Sequence, residues 1–176
     1  MSEAAKNLTR NENCGAEFNN NLSTVMQAYR GLKVYELIYS VSCLQNPETN
    51  MYCYANAVTN LSTSSDAFLY FLPYDEKLPG SSTPTCNWCN QETMAIFNAA
   101  AADRSQGIAS TYEDAARQVN AICGPNFVNG TLPEAVESAA AWALATAGHF
   151  PPWAVALVTS LTAALAVGTF VDGSGL

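Results

Sequence analysis

Apolar residues recur at helical spacing in the first half of the chain. Between residues 22 and 41 they fall three or four positions apart, which predicts one long helix, or two joined near Gly31, ending by Cys43. Asn46-Pro47 then marks a turn, and residues 51–61 have the spacing of a further helix. This half of the chain is therefore predicted to be helical.

The second half combines a proline-rich stretch with two more helices. Residues 62–85 are loop-like, with a short apolar run over 67–72 that is compatible with a strand. A third helix is predicted from Cys86 to about Asp103. Ser110–Glu113 matches a capping box at the start of the clearest amphipathic helix, which Gly124-Pro125 ends. The expected fold class is mainly α: a small helical bundle stapled by disulfides, with a C-terminal hydrophobic helix.

Composition divides the chain into four segments. Residues 1–13 are polar and are expected to be loose, and residues 14–129 hold all six cysteines and form the predicted helical domain. Residues 130–152 are an Ala-rich linker or helix. Residues 153–171 are a hydrophobic tail, which as a helix would span about 28 Å, close to the hydrocarbon core of a bilayer.

Three interpretations of this tail compete. A glycosylphosphatidylinositol (GPI) attachment signal needs small residues before a spacer and an apolar end, and Ser138 and Ala139 are the candidate attachment residues. A retained helix, as in a tail-anchored membrane protein, would usually be flanked by Lys or Arg, and neither follows Arg117. A buried core helix is the third interpretation. We expect the GPI signal.

Charge and cysteine content narrow the class of protein further. The 176-residue chain carries a formal net charge of −8, which argues against nucleic acid as a partner. It has six cysteines, and four N-x-Ser/Thr sequons begin at Asn7, Asn21, Asn60 and Asn129. Together these features predict a secreted, oxidised glycoprotein. Residues 1–12 lack the apolar region of a signal peptide, so the alternatives are a cytosolic protein or an incomplete N-terminus.

The cysteines offer three chemistries: structural disulfides, thiol redox exchange and zinc binding. Cys86-Asn87-Trp88-Cys89 is a CxxC motif at a predicted helix start, but no strand–helix unit is predicted around it, as a redox motif would need. Zinc would require four ligands, and a second CxxC is missing. Structural disulfides are therefore favoured among the six cysteines: Cys14, Cys43, Cys53, Cys86, Cys89 and Cys123.

Pairing of these cysteines is only partly constrained. Cys43 and Cys53 flank a short turn, so we expect a disulfide between them. Cys86 or Cys89 could pair with Cys14 or Cys123, and the sequence does not decide between these pairings.

Candidate catalytic residues are few. The single histidine, His149, lies beside the apolar tail. The acidic pairs Asp75-Glu76 and Glu113-Asp114 are neighbours in sequence, and adjacent residues on a helix point about 100° apart, so neither pair makes a glycosidase site by itself. We expect no catalytic residues, no metal site and no cofactor.

Aromatic residues are concentrated between positions 29 and 74. At these spacings they are predicted to lie in the core, and the alternative is an exposed surface that stacks on sugars or contacts a partner. The residues are Tyr29, Tyr35, Tyr52, Tyr54, Phe68, Tyr70, Phe71 and Tyr74.

Six short motifs are distinctive in their residues and in their spacing: Asn13–Glu17, Gln27–Leu32, Tyr52–Asn60, Thr85–Cys89, Thr93–Phe97 and Cys123–Asn129. Over about residues 7–129 they resemble a fungal family of extracellular proteins known as domain of unknown function 7729. The resemblance implies a secreted precursor with a signal peptide, a further N-terminal half with cysteines and an apolar C-terminal tail, and it brings no known activity. This chain lacks the first two, which suggests a fragment, a truncated gene model or a degenerate paralogue.

The leading hypothesis is a disulfide-stabilised, N-glycosylated domain at the outer face of the fungal plasma membrane or cell wall. Its role would be structural, adhesive or recognition-based, without catalysis. Expected partners are the membrane, through the tail or a lipid anchor, and cell-wall glycans or surface proteins. The alternatives are a thiol-redox or glycan-active surface enzyme and a small helical carrier of an apolar ligand.

Overall fold

The computed structural model describes residues 2–136, which fold as six α-helices and one 3₁₀ helix. Within this range the β pairing is limited to an isolated bridge between Gln45 and Tyr52. The mainly helical prediction is confirmed, and the predicted C-terminal hydrophobic helix lies outside the described residues. The helices are α1 (Ser2–Leu8), α2 (Gly15–Asn19), α3 (Ser23–Ser42), α4 (Cys53–Thr59), the 3₁₀ helix (Leu61–Tyr74), α5 (Trp88–Ala100) and α6 (Ile108–Cys123).

The 3₁₀ helix is the hub of the described fold. It contacts both the α3–α4 pair and the α5–α6 pair. Its residues recur with the three-residue period of a 3₁₀ helix, so Asp66, Leu69 and Leu72 form one buried stripe. The strand considered for residues 67–72 is therefore wrong, because buried positions three apart suit a helix with three residues per turn. The largest buried side chains around it include Tyr112, Phe97, Leu37, Leu69, Leu72 and Met94.

Helix ends agree with the sequence where a cap or breaker is present. α3 passes through Gly31 as one helix, and α5 is capped by Asn87, whose side chain accepts a hydrogen bond from the Asn90 backbone N–H at 2.8 Å. Gly124 ends α6 at a φ of 101°, which favours glycine. The exception is α6, which begins at Ile108, before the predicted capping box. The Ser110 hydroxyl does not cap it and lies 3.0 Å from Asp75 Oδ1 and 2.8 Å from the Gly107 carbonyl oxygen.

The polar N-terminal segment was expected to be loose, but it contains α1. Ala5 is buried, and α1 packs against α3. The following turn is close-packed: the Gly15 N–H donates to the Arg10 carbonyl at 2.9 Å, and a Cβ on Gly15 would lie 2.8 Å from that carbonyl. A short helix with one buried alanine leaves almost no apolar pattern in the sequence.

Candidate functional site

An aromatic cleft lies between α3, α4 and the 3₁₀ helix. Its volume is about 370 Å³. The described residues that line it are all uncharged: Ile38, Ser42, Tyr54, Val58, Ala67, Tyr70, Phe71 and Tyr74. We refer to these eight residues as the cleft.

Tyr70 forms the floor of the cleft. Its side chain is 5% exposed, and its ring makes a T-shaped contact with the Tyr54 ring, with centroids 4.9 Å apart. The Tyr70 hydroxyl lies 3.5 Å from Thr93 Oγ1. Burial raises the pKa of Tyr70 above that of an ordinary tyrosine, although the hydrogen bond to Thr93 acts in the opposite direction. The floor therefore presents a neutral ring to the cleft.

The walls of the cleft are half open to solvent. Tyr54 is 41% exposed and Phe71 is 53% exposed, and Val58 lies beside them with a similar exposure. Large apolar side chains grouped around a concave surface mark a contact site more often than isolated ones do. The walls are therefore the strongest candidate for a binding surface in the described domain.

Asp66 anchors the 3₁₀ helix from behind, close to α5. Its carboxylate accepts hydrogen bonds from the Thr85 N–H at 2.7 Å, the Thr85 hydroxyl at 2.8 Å and Asn90 Nδ2 at 2.7 Å. The carboxylate is 2% exposed, and these three donors satisfy it in place of water. A buried carboxylate can serve as a catalytic acid, but the hydrogen bonds from Thr85 and Asn90 give Asp66 a structural role.

Near its C-terminal end, the 3₁₀ helix is hydrogen-bonded to α6. The buried Thr111 hydroxyl donates to the Leu72 carbonyl at 2.9 Å. A Cβ on Gly107 would lie 2.6 Å from the Pro73 carbonyl oxygen, so only glycine allows the two backbones to approach this closely. The cleft is thus built on a helix that is held at Asp66 in its middle and near its C-terminal end.

Most of the aromatic residues predicted to lie in the core are at the surface instead. Tyr70 is buried as predicted, but Tyr35, Tyr52, Tyr54, Phe68 and Phe71 are exposed. The core prediction was wrong for these five. Tyr35 and Tyr54 lie on the exposed faces of α3 and α4, and Tyr52 immediately precedes α4. On a 3₁₀ helix, Phe68 and Phe71 share a stripe next to the buried one.

Two disulfides join the described helices, and both start from the CxxC motif. Cys89 pairs with Cys53 at the start of α4, and Cys86 pairs with Cys123 at the end of α6. The two cysteines of the motif therefore bind different partners, whereas a thiol exchanger pairs them with each other. Loops of 36 and 37 residues give each bridge a stabilising contribution of about 4 kcal/mol.

Cys14 and Cys43 are free thiols in the structure, and the predicted Cys43–Cys53 disulfide is wrong. At the C-terminal end of α3, Val41 and the nearby Leu44 are buried in the core, and Cys43 is exposed to solvent. Cys53, in contrast, is buried. Cys14 immediately precedes α2, whose Phe18 ring packs on Tyr29 of α3. Cys43 follows the end of α3, about 21 Å along the helix axis from Tyr29. These two thiols are too far apart to pair with each other.

The four sequons lie at or near the surface. Asn7, Asn21 and Asn129 are exposed, and Asn60 is half-buried where its side chain caps the 3₁₀ helix by accepting from the Ser62 N–H at 3.1 Å. Asn129 Oδ1 accepts from the Thr131 N–H and hydroxyl, and its Nδ2, the atom that carries an N-glycan, lies 3.3 Å from Asn98 Oδ1.

Other candidate chemistry is sparse among residues 2–136. No group of three His, Cys, Asp or Glu side chains there is placed to hold a metal ion, and no helix there has the length and hydropathy to cross a bilayer. Of the acidic pairs considered, Asp75 accepts a hydrogen bond from the Ser110 hydroxyl at 3.0 Å, and Asp114 lies 3.7 Å from Lys77 Nζ. The remaining candidates, Ser138, Ala139 and His149, lie outside the described residues.

Comparison with known proteins identifies the family. A family model described as a domain of unknown function (DUF7729) matches residues 1–132, which include every described helix. Comparison with curated proteins finds no match, and comparison with solved structures finds none either. The chain belongs to the family of the domain of unknown function 7729.

Proposed function

We propose that this chain is a secreted, non-catalytic recognition domain of the fungal cell surface, and that the cleft is its contact site. The observation that carries the proposal is the group of half-exposed apolar side chains around the cleft, with Tyr54 and Phe71 at its centre. Exposed rings add little to the stability of a monomer, but they supply most of the contact energy when a partner covers them.

An oxidising location is supported by the disulfides and the sequons. The pair Cys53–Cys89 is buried and Cys86 is exposed, so the surface bridge at least would be reduced by cytosolic thiols. Exposed Asn7, Asn21 and Asn129 are accessible to glycosylation. These features favour the outer face of the plasma membrane or the cell wall as the site of action.

We further propose a C-terminal GPI anchor attached at Ser138 or Ala139. It is supported by the apolar run of residues 153–171 and the absence of Lys and Arg after Arg117 in the sequence. Phospholipase C should release the protein from intact cells. Replacing residues 138–140 with bulky side chains should abolish that release, and unchanged release would reject this attachment site.

The cleft proposal is tested by retention on the host surface. Mature protein purified from the secreting host is labelled and incubated with cell walls and membranes. Tyr54→Ser combined with Phe71→Ser should lower the bound fraction about tenfold, equivalent to losing roughly 1.4 kcal/mol of contact energy.

A matched control removes two tyrosines that do not line the cleft. Tyr35 and Tyr39 are exposed on α3 and stack on each other with centroids 6.2 Å apart. Tyr35→Ser combined with Tyr39→Ser should leave retention unchanged. Equal losses in the two double variants would mean that general surface hydrophobicity, and not the cleft, causes retention.

A further inference from the structure

The size of the cleft sets the size of what it can hold. Its volume of about 370 Å³ falls at the lower end of the range typical of small-molecule sites, which is roughly 300–1,000 Å³. Because the 3₁₀ helix is tied to Asn90 of α5 through Asp66 and to α6 through Thr111, the side of the cleft that this helix forms is preformed. Such a cavity fits one small molecule.

The lining is dominated by hydrocarbon. Three aliphatic side chains and four aromatic rings line the cleft, and the lining residues that carry a hydroxyl besides Tyr70 are Ser42, Tyr54 and Tyr74. The Tyr70 hydroxyl is directed to Thr93, so the floor offers only its ring. A sugar carries a hydroxyl on nearly every ring carbon and would lose water from each without enough partners here. A hydrocarbon chain loses nothing by the same transfer.

The charge balance selects among apolar ligands. The eight lining residues carry no cation that could pair with a carboxylate or phosphate, and burying an unpaired anion is costly. The chain as a whole has 15 acidic and 7 basic residues, so its field also repels anions. An uncharged head group avoids both penalties.

We propose that the cleft binds an uncharged amphiphile of small-molecule size, a long-chain alcohol being the simplest example. The hydrocarbon part lies against Tyr70, Phe71 and Val58, and the head group meets a rim hydroxyl such as that of Ser42. This proposal rests on the function proposed above, in which the cleft is the recognition site, and it specifies the class of ligand.

A fluorescence titration tests the ligand class. N-phenyl-1-naphthylamine is uncharged and brightens in an apolar site, and it should bind the mature purified protein saturably at one site. 1-Dodecanol should displace it. Dodecanoate at pH 8 has the same chain with a charged head and should displace it at least about tenfold less well. Cellohexaose should not displace it.

Two variants locate the binding. Val58→Asp places a charge on the cleft wall and should abolish probe binding. Ala67→Trp fills the cleft without a charge and should also abolish it, so the result does not depend on one variant folding. Leu61→Asp is the matched control, because Leu61 lies nearby on the 3₁₀ helix, is 91% exposed and does not line the cleft. Circular dichroism confirms the fold of each variant.

The outcomes separate this proposal from the proposed function. Probe binding that is lost in both cleft variants and reversed by dodecanol supports the amphiphile. No saturable binding, or displacement by cellohexaose in preference to dodecanol, overturns it. If retention on the host surface still depends on Tyr54 and Phe71 in that case, the recognition function stands and only the ligand class is wrong. If retention is also independent of them, both proposals fail.

Discussion

Tyr112 and Tyr54 have the same side chain in two different environments, the buried core and the cleft. Tyr112, on α6, is completely buried, and its hydroxyl donates to the Asn129 carbonyl at 2.6 Å. Tyr54, on α4, is two-fifths exposed beside the cleft. Other side chains, such as Phe97 and Met94, are fully buried in the core, whereas the ring of Tyr54 is open to solvent. Substitutions should therefore separate stability from binding.

The sharpest form of this comparison uses two phenylalanines. Phe97 is fully buried on α5, and Phe71 is half exposed at the cleft. Phe97→Ala should lower the free energy of unfolding by about 3–5 kcal/mol, because it removes a packed ring and leaves a cavity. Phe71→Ala should cost about 1 kcal/mol or less. Urea unfolding measures both, and similar losses would show that the cleft rings are part of the core.

The two disulfides should differ in their response to a reductant. Cys53 and Cys89 are buried, whereas Cys86 is exposed and Cys123 is half-buried. Dithiothreitol should therefore open Cys86–Cys123 first, removing about 4 kcal/mol while the fold persists, and Cys53–Cys89 should open only with unfolding. Alkylation followed by peptide mass spectrometry identifies the order. Simultaneous opening would place both bridges in one cooperative unit.

Removing the tie behind the cleft should affect both regions. Asp66→Ala removes the acceptor of the Thr85 N–H and one of the two acceptors of Asn90 Nδ2, and we expect a loss of about 2–3 kcal/mol in urea unfolding. Asp66→Asn keeps one acceptor oxygen and should lose less. Probe binding in the cleft should weaken in the same order. An alanine variant as stable as wild type would show that the hydrogen bonds of Asp66 are not needed to hold the 3₁₀ helix.

The smallest effect concerns alkaline pH. Burial raises the pKa of Tyr112 to about 12, although its side-chain contact with Asn98 acts in the opposite direction. The unfolded tyrosine ionises near pH 10, so the folded state binds the proton more tightly between pH 10 and 12. The contribution of Tyr112 is complete below pH 10 and is lost as the pH rises through this window.

At pH 11 the ionisation of Tyr112 should have lowered the free energy of unfolding by about 1 kcal/mol. Urea unfolding at pH 9 and pH 11 measures it, and Tyr112→Phe should reduce the difference between the two values. An undiminished difference in the phenylalanine variant would assign alkaline sensitivity to other groups, of which Tyr70 is the first to consider because burial also raises its pKa.

Periodicity predicted the regular helices because α3, α5 and α6 place their buried residues at α-helical spacing. It failed for the cleft helix, where Asp66, Leu69 and Leu72 repeat every three residues. The cleft was therefore seen in the sequence only as a concentration of aromatic residues. The partner of Cys53 was also missed, since pairing depends on which way Cys43 faces at the end of α3. The direction in which Cys43 faces cannot be predicted from the residues around it in the sequence.

The two disulfides also determine what a protease can do to this domain. Their loops, Cys53 to Cys89 and Cys86 to Cys123, overlap at the CxxC motif. A single cut anywhere between positions 53 and 123 therefore leaves the two fragments covalently joined. The exposed stretch around Asp75 and Glu76 can be nicked without releasing either half. This connectivity keeps the helices of the cleft covalently joined after a single cut in that range.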